Sequence, residues 1–319
     1  MDQILHSMWG SVDIKLNQKL VSTSGTNYMY KSLIENLLNY NHNCKKIQMS
    51  SIGFSSESGN FAQTHPKITP VNYGLKERSE WFKKVGTIPG SNDPTCVEFI
   101  GPLMTDICNQ DRYILNGVDI DIKLWPNRDE FRLITHPSGT TGKLVIEEIK
   151  LLVCKIKLSP ATLLAHASII REHNALYPYQ KTDIRTKHLA KGSYGDTLED
   201  IYQGQVPSRL IVGFVESESY NGSFSKNPFH FQNFNLGKIG FYVDGESVPR
   251  HPYEFDFKNC QYLEGLLSLY RATGKLNENT DIGITRNSYR EGYNLIAFEV
   301  DPTTSPDFRY LGQGREGRT

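Results

Sequence analysis

The stretch Gly204–Val248 reads GQVPSRLIVGFVESESYNGSFSKNPFHFQNFNLGKIGFYVDGESV, and its signals decide the expected fold class. Its first apolar run, Leu210–Val215, is apolar on both faces, as expected for a strand inside a sandwich. The second run carries apolar residues at alternate positions: Ile239, Phe241 and Val243. Asp244-Gly245 then supplies the two-residue turn that is typical of a β-hairpin. This stretch therefore predicts paired strands of a β-sandwich.

Aromatic residues are spaced among Asn, Ser and Gly in the loop between the two runs: Tyr220, Phe224, Phe229, Phe231 and Phe234. Pro207 and Pro228 exclude their own positions from central strand ladders. We expect Phe229 and Phe231 to pin the loop to the protein or to contact another subunit. The loop contains signals of structure and no recognisable catalytic motif.

Composition narrows the class of protein. The 319 residues include 35 basic and 35 acidic ones without long charged blocks, which argues against direct sequence-specific nucleic-acid binding. No signal-peptide pattern and no apolar run of bilayer length is present, so we expect no membrane span and a cytoplasmic or nuclear protein that is not secreted. Scattered cysteines predict free thiols: Cys44, Cys96, Cys108, Cys154 and Cys260.

Further strands are predicted where apolar and polar residues alternate, at Val12–Leu16 and Val118–Leu124. The stretch Leu144–Leu158 is predicted to form a long strand or a pair of strands. Apolar spacing predicts a helix after Asn27, and a second helix is predicted at about 259–272. Ser159 as N-cap and Pro160 at the first helical position predict a third helix that continues to about Asn174. The polar stretch Ser50–Ser79 is predicted to be an irregular surface loop.

The two halves of the chain share a weak repeat of strand, tight turn, loop and short helix. Ile14 to Val21 align with Phe241 to Val248, and the helix after Asn27 aligns with the one after Asn259. The repeat predicts two similar sandwich domains, residues 1–158 and 179–319, joined by a linker helix and turn at 159–178. The fold class expected from the residues is thus all-β with a few short helices.

Two patterns resemble catalytic motifs without matching them. His136–Lys143 has glycines and a lysine, but a phosphate-binding loop needs four residues between its glycines and a following helix. Asp119 and Asp121 lie on one face of a predicted strand, as the paired carboxylates of a glycosidase would. Lys123 continues that face, so a solvated strand face is the more economical interpretation.

Other clusters also lack the spacing of known sites. His166 and His173 are seven residues apart on a helix, whereas helical metal sites use His residues four apart with a Glu between them. The acidic residues Asp196, Glu199 and Asp200 lack the spacing of a calcium loop. We therefore predict that the protein is not an enzyme and has no catalytic, cofactor-binding or metal-binding residues and no cofactor.

Motifs along nearly the whole chain nevertheless resemble one family, the major capsid (hexon) proteins of Polinton/Maverick elements and adintoviruses. The longest are Gly204–Gly213, Asn221–Phe229 and Tyr293–Pro302, and the others follow in family order. They are Leu5–Ser7 with Val12-Asp13, Tyr30–Tyr40, Arg112–Asp119, Lys155–Pro160 with Leu164–His166, and Tyr177-Pro178.

The resemblance implies a double jelly roll, two β-sandwiches side by side, with three copies forming a pseudo-hexagonal capsomer. It implies a homotrimer that contacts neighbouring capsomers and a penton or minor capsid protein, located in the virion. Family members have further strands at both ends. The resemblance therefore predicts an incomplete double jelly roll, lacking the early strands of the first roll and the final strands of the second.

The expected function is that of a structural virion protein from a virus-like integrated DNA element, as a fragment or a non-functional genomic copy. The alternative from another class is a carbohydrate-active or carbohydrate-binding β-sandwich with Asp119 and Asp121 in its site. Side-by-side sandwiches with long loops would favour the capsid protein. Carboxylates in a concave, aromatic-lined groove would favour the alternative.

Overall fold

The computed structural model of the chain describes residues 1–84, 96–135, 141–300 and 316–318. Within these ranges the helices are α1 (Ile4–Ser7), α2 (Tyr28–Asn39), α3 (His42–Ile47), α4 (Tyr73–Lys84), α5 (Asp129–Arg132), α6 (Pro160–Glu172), α7 (Ser217–Asn221), α8 (Leu263–Ala272) and α9 (Arg286–Glu291). Short 3-10 turns occupy Met49–Ile52 and Asp106–Cys108.

The strands are β1 (Trp9–Leu16), β2 (Lys19–Thr23), β3 (Ile120–Pro126), β4 (Gln203–Gln205), β5 (Arg209–Gly213), β6 (Lys238–Val243), β7 (Glu246–Glu254), β8 (Leu295–Glu299) and β9 (Glu316–Arg318). They form a three-stranded sheet in the order β2-β1-β3 and the two-stranded sheets β4-β9, β5-β8 and β6-β7. Each pair is antiparallel.

The predicted all-β double jelly roll is wrong. Helices account for 28% of the described residues and strands for 18%, and the described sheets have only two or three strands. The main physical reason lies in Leu144–Leu158, a stretch rich in strand-forming residues that pairs with no described strand. Side-chain alternation specifies only two faces of an extended backbone, whereas a sheet also requires a partner for the backbone hydrogen bonds.

The hairpin of the central stretch is confirmed. β6 and β7 pair antiparallel with Val243 opposite Glu246, so the turn consists of Asp244 and Gly245 alone. Both turn residues have positive φ, 51° and 87°, as this tight turn requires. Gly245 meets that requirement without steric cost because it has no Cβ.

Helix starts predicted from local residues are also confirmed. The Ser159 side chain accepts a hydrogen bond from the Thr162 N–H (3.3 Å) at the start of α6, and Pro160 occupies the first turn. α2 begins after Asn27, although the Asn27 side chain makes no capping bond. The predicted irregular loop Ser50–Ser79 is only partly irregular, because α4 begins within it at Tyr73.

The large core joins residues from both ends of the chain. α2, α8 and β8 supply most of its aliphatic side chains, and aromatic residues pack with them. Its most deeply buried members include Leu33, Leu37, Phe54, Phe61, Phe131, Phe229, Leu269, Tyr289, Leu295 and Phe298. The core therefore spans both sides of the predicted linker at 159–178, and the division into domains stays a prediction.

A second, smaller core lies under the three-stranded sheet. Its buried members are Trp9, Val12, Tyr28 and Met104, and partly buried residues such as Ile122, Leu124 and Ile146 pack against it. Within this core, the Tyr28 hydroxyl accepts a hydrogen bond from the Met104 N–H (3.2 Å). That bond holds the backbone at residue 104 against α2.

Candidate functional site

Asp119 and Asp121 are both exposed and lie on the polar face of the edge strand β3. Asp121 is within the strand, and Asp119 directly precedes it. Asp121 is opposite Lys15 of β1, and Lys123 follows on the same face. The two best-formed cavities of the described residues lie elsewhere and measure about 110 and 130 Å³. Sites for small ligands typically occupy about 300–1000 Å³. The two carboxylates are thus on a solvated strand face and not in a groove.

The other residues considered for chemistry are also dispersed. His166 and His173 lie on and directly after α6, which buries none of its residues, and the acidic trio at 196, 199 and 200 lies in an exposed loop. Among the described residues, no group of three or more His, Cys, Asp or Glu side chains is placed to hold a metal ion. His136 to Thr140, in the loop that resembles a phosphate site, lie outside the described residues.

Phe229 and Phe231 pin the aromatic loop to the large core. Both are buried, and their rings meet the Tyr30 ring edge-on at 5.6 and 6.3 Å between centroids. The Tyr30 hydroxyl donates a hydrogen bond to the Pro228 carbonyl (3.0 Å). Tyr220 stacks on Tyr30 at 5.7 Å. Such aromatic pairs are worth about 0.5–1.5 kcal/mol beyond burial, so these residues hold the loop in place.

A buried charged cluster, which sequence reasoning missed, surrounds Arg78 of α4. Arg78 contacts Asp2 (3.2 Å) and Glu57, and it donates a hydrogen bond to the Ser55 carbonyl (2.7 Å). Burial raises the pKa of Asp2 to about 6, against the opposing effect of Arg78. The two carboxylates raise the pKa of Arg78 despite its burial. The Arg78 guanidinium therefore stays charged. Asp2 is easier to protonate than an ordinary aspartate.

No local pattern could have revealed this cluster, because its members come from three separate segments of the chain. Asn72 did carry a signal for the helix that positions Arg78. The Asn72 side chain accepts a hydrogen bond from the Leu75 N–H (3.2 Å), the usual geometry of a helix N-cap. Asp2, Glu57 and Arg78 are each at most 2% exposed, so we interpret the cluster as structural.

A second buried cluster links α2 to residue 182. Lys31 contacts Asp106, and its Nζ lies 3.9 Å from Glu35. Burial raises the pKa of Glu35 to about 7; Lys31 opposes this shift and Asp106 adds to it. The Thr182 N–H donates to the other Asp106 oxygen (3.1 Å). This cluster anchors residue 182 to the folded body of the protein.

Lys45 of α3 forms a third buried polar contact. Its ammonium donates hydrogen bonds to the backbone carbonyls of Leu37 and Ile282. These contacts join the end of α2 to a segment more than 200 residues further along. Burial lowers the pKa of Lys45 to about 7, with Asp281 opposing the shift.

Residues 141–200, which we term the exposed segment, differ from the rest of the protein. Apart from α6 they contain no helix or strand, and nearly every side chain is exposed. More than half of the large apolar side chains that are exposed in the described structure lie in this segment. They are Val145, Ile149, Leu151, Leu152, Val153, Ile156, Leu163, Leu164, Ile169, Ile170, Leu176, Tyr179, Leu189, Tyr194 and Leu198.

Separate contacts tether the exposed segment to the folded body. Ile146 packs against the small core. Arg112 donates to the Leu176 carbonyl (2.7 Å), and the Tyr177 hydroxyl accepts from the Leu115 N–H (3.0 Å). Between these tethers, many apolar side chains are more than half exposed. Monomers rarely present apolar surface of this extent, and where they do it usually marks an interaction site.

The exposed segment is therefore the candidate functional site. Its apolar run Leu151–Val153 is visible in the sequence, where it indicates part of a strand of the first sandwich. An apolar run of this kind is also expected in a strand that becomes buried only when several copies of the chain assemble.

Comparison with known proteins finds one that is similar to nearly the whole chain. Uncharacterized protein F54H12.2 of Caenorhabditis elegans is 26% identical over 310 residues, which cover 95% of this chain and 68% of that protein. No protein-family model matches the chain, and no solved structure matches it. None of the helices in the described ranges combines the length and apolar character that crossing a bilayer requires.

Proposed function

We propose that the chain is a structural protein that functions by assembling with further copies of itself, as a capsid subunit of a virus-like integrated DNA element. The observation that carries the proposal is the exposed segment, whose apolar side chains are left uncovered by the described residues. Leaving one large apolar side chain in water forgoes about 1.5–3 kcal/mol. Burying many of them between copies would supply a strong driving force for association.

The resemblance of the sequence motifs to hexon proteins gives this assembly its proposed identity. A homotrimer within the virion, with neighbouring capsomers and a penton or minor capsid protein as partners, belongs to the same proposal. Three of the motifs fall inside the exposed segment: Lys155–Pro160, Leu164–His166 and Tyr177-Pro178. Association through this segment does not require a double jelly roll.

The carbohydrate-active alternative gains no support from the described geometry. It required Asp119 and Asp121 in a concave aromatic groove, and they lie on an exposed strand face. We therefore advance only the assembly function.

The test is the oligomeric state of the purified chain, measured by light scattering and sedimentation velocity over a range of concentrations. We expect defined oligomers, with a trimer among them. The variant that tests the segment replaces four exposed apolar residues of the stretch 151–156 by Ser: Leu151, Leu152, Val153 and Ile156. It should shift the protein to single copies without loss of circular-dichroism signal.

A matched control replaces Leu263 and Leu267, two exposed leucines of α8, by Ser. This variant should assemble like the wild-type protein, because α8 lies outside the exposed segment. A wild-type protein that remains a single, soluble copy at all concentrations would contradict the proposal.

A further inference from the structure

We propose that residues 151–158 of one copy add to β3 of a second copy as an antiparallel strand. This inference rests on the proposed assembly function and specifies the contact through which it occurs. The observation that supports it is an unpaired sheet edge and an unpaired segment of strand-forming sequence on the same chain, with matching apolar and charged positions.

The acceptor is the outer edge of β3. β3 lies at the end of the sheet order β2-β1-β3, so one side of it faces no described strand. The Asn17 N–H donates to the Asp119 carbonyl (2.9 Å), so the backbone at 119 faces β1. Because antiparallel residues alternate in the side to which they bond, the backbone groups of Ile120, Ile122 and Leu124 point outward. Such an edge is a template for another strand.

The side chains along β3 also form two distinct faces. Ile122 and Leu124 pack against the small core, and Ile120 continues their face. The opposite face carries two acidic residues, a lysine and a tryptophan: Asp119, Asp121, Lys123 and Trp125. Ile120 and Trp125 are 49% and 55% exposed, so apolar surface remains uncovered on both faces of this edge.

The donor strand has the complementary pattern. Every residue of Leu151–Lys157 is exposed. In an extended conformation, one face of residues 151–158 is apolar: Leu152, Cys154, Ile156 and Leu158. The other face begins with two apolar residues and ends with two lysines: Leu151, Val153, Lys155 and Lys157.

In one antiparallel register, the apolar and the charged residues of 151–158 both lie opposite suitable residues of β3. With Ile122 opposite Cys154, the pairs on the polar face are Asp121 with Lys155, Asp119 with Lys157, and Trp125 with Leu151. The apolar residues at 152, 154 and 156 then extend the face that covers the small core. A slip of one residue would turn this apolar set toward the polar face, so the pattern selects the register strongly. Opposite charges directly across a strand pair add to the preference.

A second copy is the occupant that the structure favours. Ile146 holds the start of the exposed segment against the small core of its own chain, while Leu151–Lys157 remain exposed and leave their own β3 uncovered. Every copy carries both the donor strand and the acceptor edge. Each copy can therefore satisfy the unpaired groups of another, in a closed ring or a reciprocal pair.

The test is a disulfide between Cys154 and the thiol introduced by Ile122→Cys, with oxidised glutathione as the acceptor of the two electrons. In the proposed ladder these residues exchange hydrogen bonds, with Cα atoms about 5.5 Å apart, a separation that a disulfide spans. We expect a reducible product of two or more chain masses, at least about tenfold more abundant than in Lys123→Cys, whose side chain faces the other way. Adding Cys154→Ser to Ile122→Cys should abolish this product.

A charge exchange gives an independent measurement. A chain with Asp119→Lys and Asp121→Lys, and a second chain with Lys155→Asp and Lys157→Asp, should each associate weakly alone. Mixing the two should restore association, because the altered strand of one then matches the altered edge of the other.

Each alternative result overturns the inference in a recognisable way. A disulfide between the introduced thiol and Cys154 of the same chain would show that the segment covers its own β3. Wild-type assembly without the cross-link, and without rescue on mixing, would place the contact elsewhere and leave the assembly function standing. A wild-type protein that stays a single copy would contradict both proposals.

Discussion

The Tyr293 hydroxyl accepts a hydrogen bond (2.8 Å) from the backbone N–H of Glu57, a residue 236 positions earlier in the chain. The Tyr293 ring also meets Phe61 edge-on, with centroids 4.9 Å apart. One side chain thus connects the segment that carries part of the Arg78 cluster with the start of β8. The bond is buried, so solvent does not replace the acceptor when it is removed.

Tyr293→Phe keeps the ring and leaves the Glu57 N–H without its acceptor. An unsatisfied buried donor costs about 1–3 kcal/mol. We expect the free energy of unfolding, measured by denaturant titration, to fall by that amount. The matched control is Tyr113→Phe, since Tyr113 is 62% exposed and its change should cost little. Equal midpoints for the two variants would contradict the assigned bond.

Phe241 and Tyr242 are adjacent on β6 and point to opposite faces, which allows a test of the hairpin's orientation. Phe241 is 4% exposed and packs near Phe298, whereas Tyr242 is 51% exposed. Phe241→Ala should lower the free energy of unfolding by about 3–5 kcal/mol. Tyr242→Ala should change it by about 0.5 kcal/mol or less. Reversed or similar losses in denaturant unfolding would show that the face assignment is wrong.

The lowered pKa of Lys45 predicts that the free energy of unfolding increases as the pH is raised above neutral. Its pKa falls from the ordinary 10.5 to about 7 in the folded protein, mainly because it is buried. Between these values the unfolded chain binds more protons than the folded one, so the free energy of unfolding should increase as pH rises through this window. The difference between wild type and Lys45→Met should change in favour of wild type over the same range. A constant difference would contradict the lowered pKa.

The raised pKa of Glu35 predicts that its contribution to the free energy of unfolding decreases as the pH rises. Its pKa rises from 4.5 to about 7 on folding, chiefly through burial. The folded state therefore keeps a proton that the unfolded chain loses, and this contribution to stability is complete below the lower value and lost as pH rises through the upper one. Glu35→Gln should remove that part of the profile. Denaturant unfolding of both proteins across this range would measure it, and parallel profiles would refute it.

Sequence reasoning succeeded where neighbouring residues decide the structure. The turn at Asp244-Gly245 needs only two residues that tolerate positive φ, and the start of α6 needs only Ser159 and Pro160. Both signals act over a few residues, so they hold irrespective of what the rest of the chain does.

Prediction from the sequence failed where residues far apart in the chain determine the structure. Leu144–Leu158 has the apolar composition of a strand, but whether it enters a sheet depends on a partner edge that the sequence does not specify. The Arg78 cluster combines charges from Asp2, Glu57 and Arg78, none of which belongs to a recognisable site pattern. The exposed segment was visible as an apolar composition, yet composition alone does not distinguish burial within a chain from burial between chains.

The interleaving of distant segments in the large core has a consequence for synthesis on the ribosome. Leu33, Phe54 and Phe131 emerge well before Phe298 of β8, with which they share one core. At about 5–20 residues per second, the roughly 170 residues between Phe131 and Phe298 take on the order of ten to thirty seconds to translate. During that interval Leu33, Phe54 and Phe131 lack the part of their core that β8 supplies. We therefore expect chaperones that act during translation to bind the nascent chain.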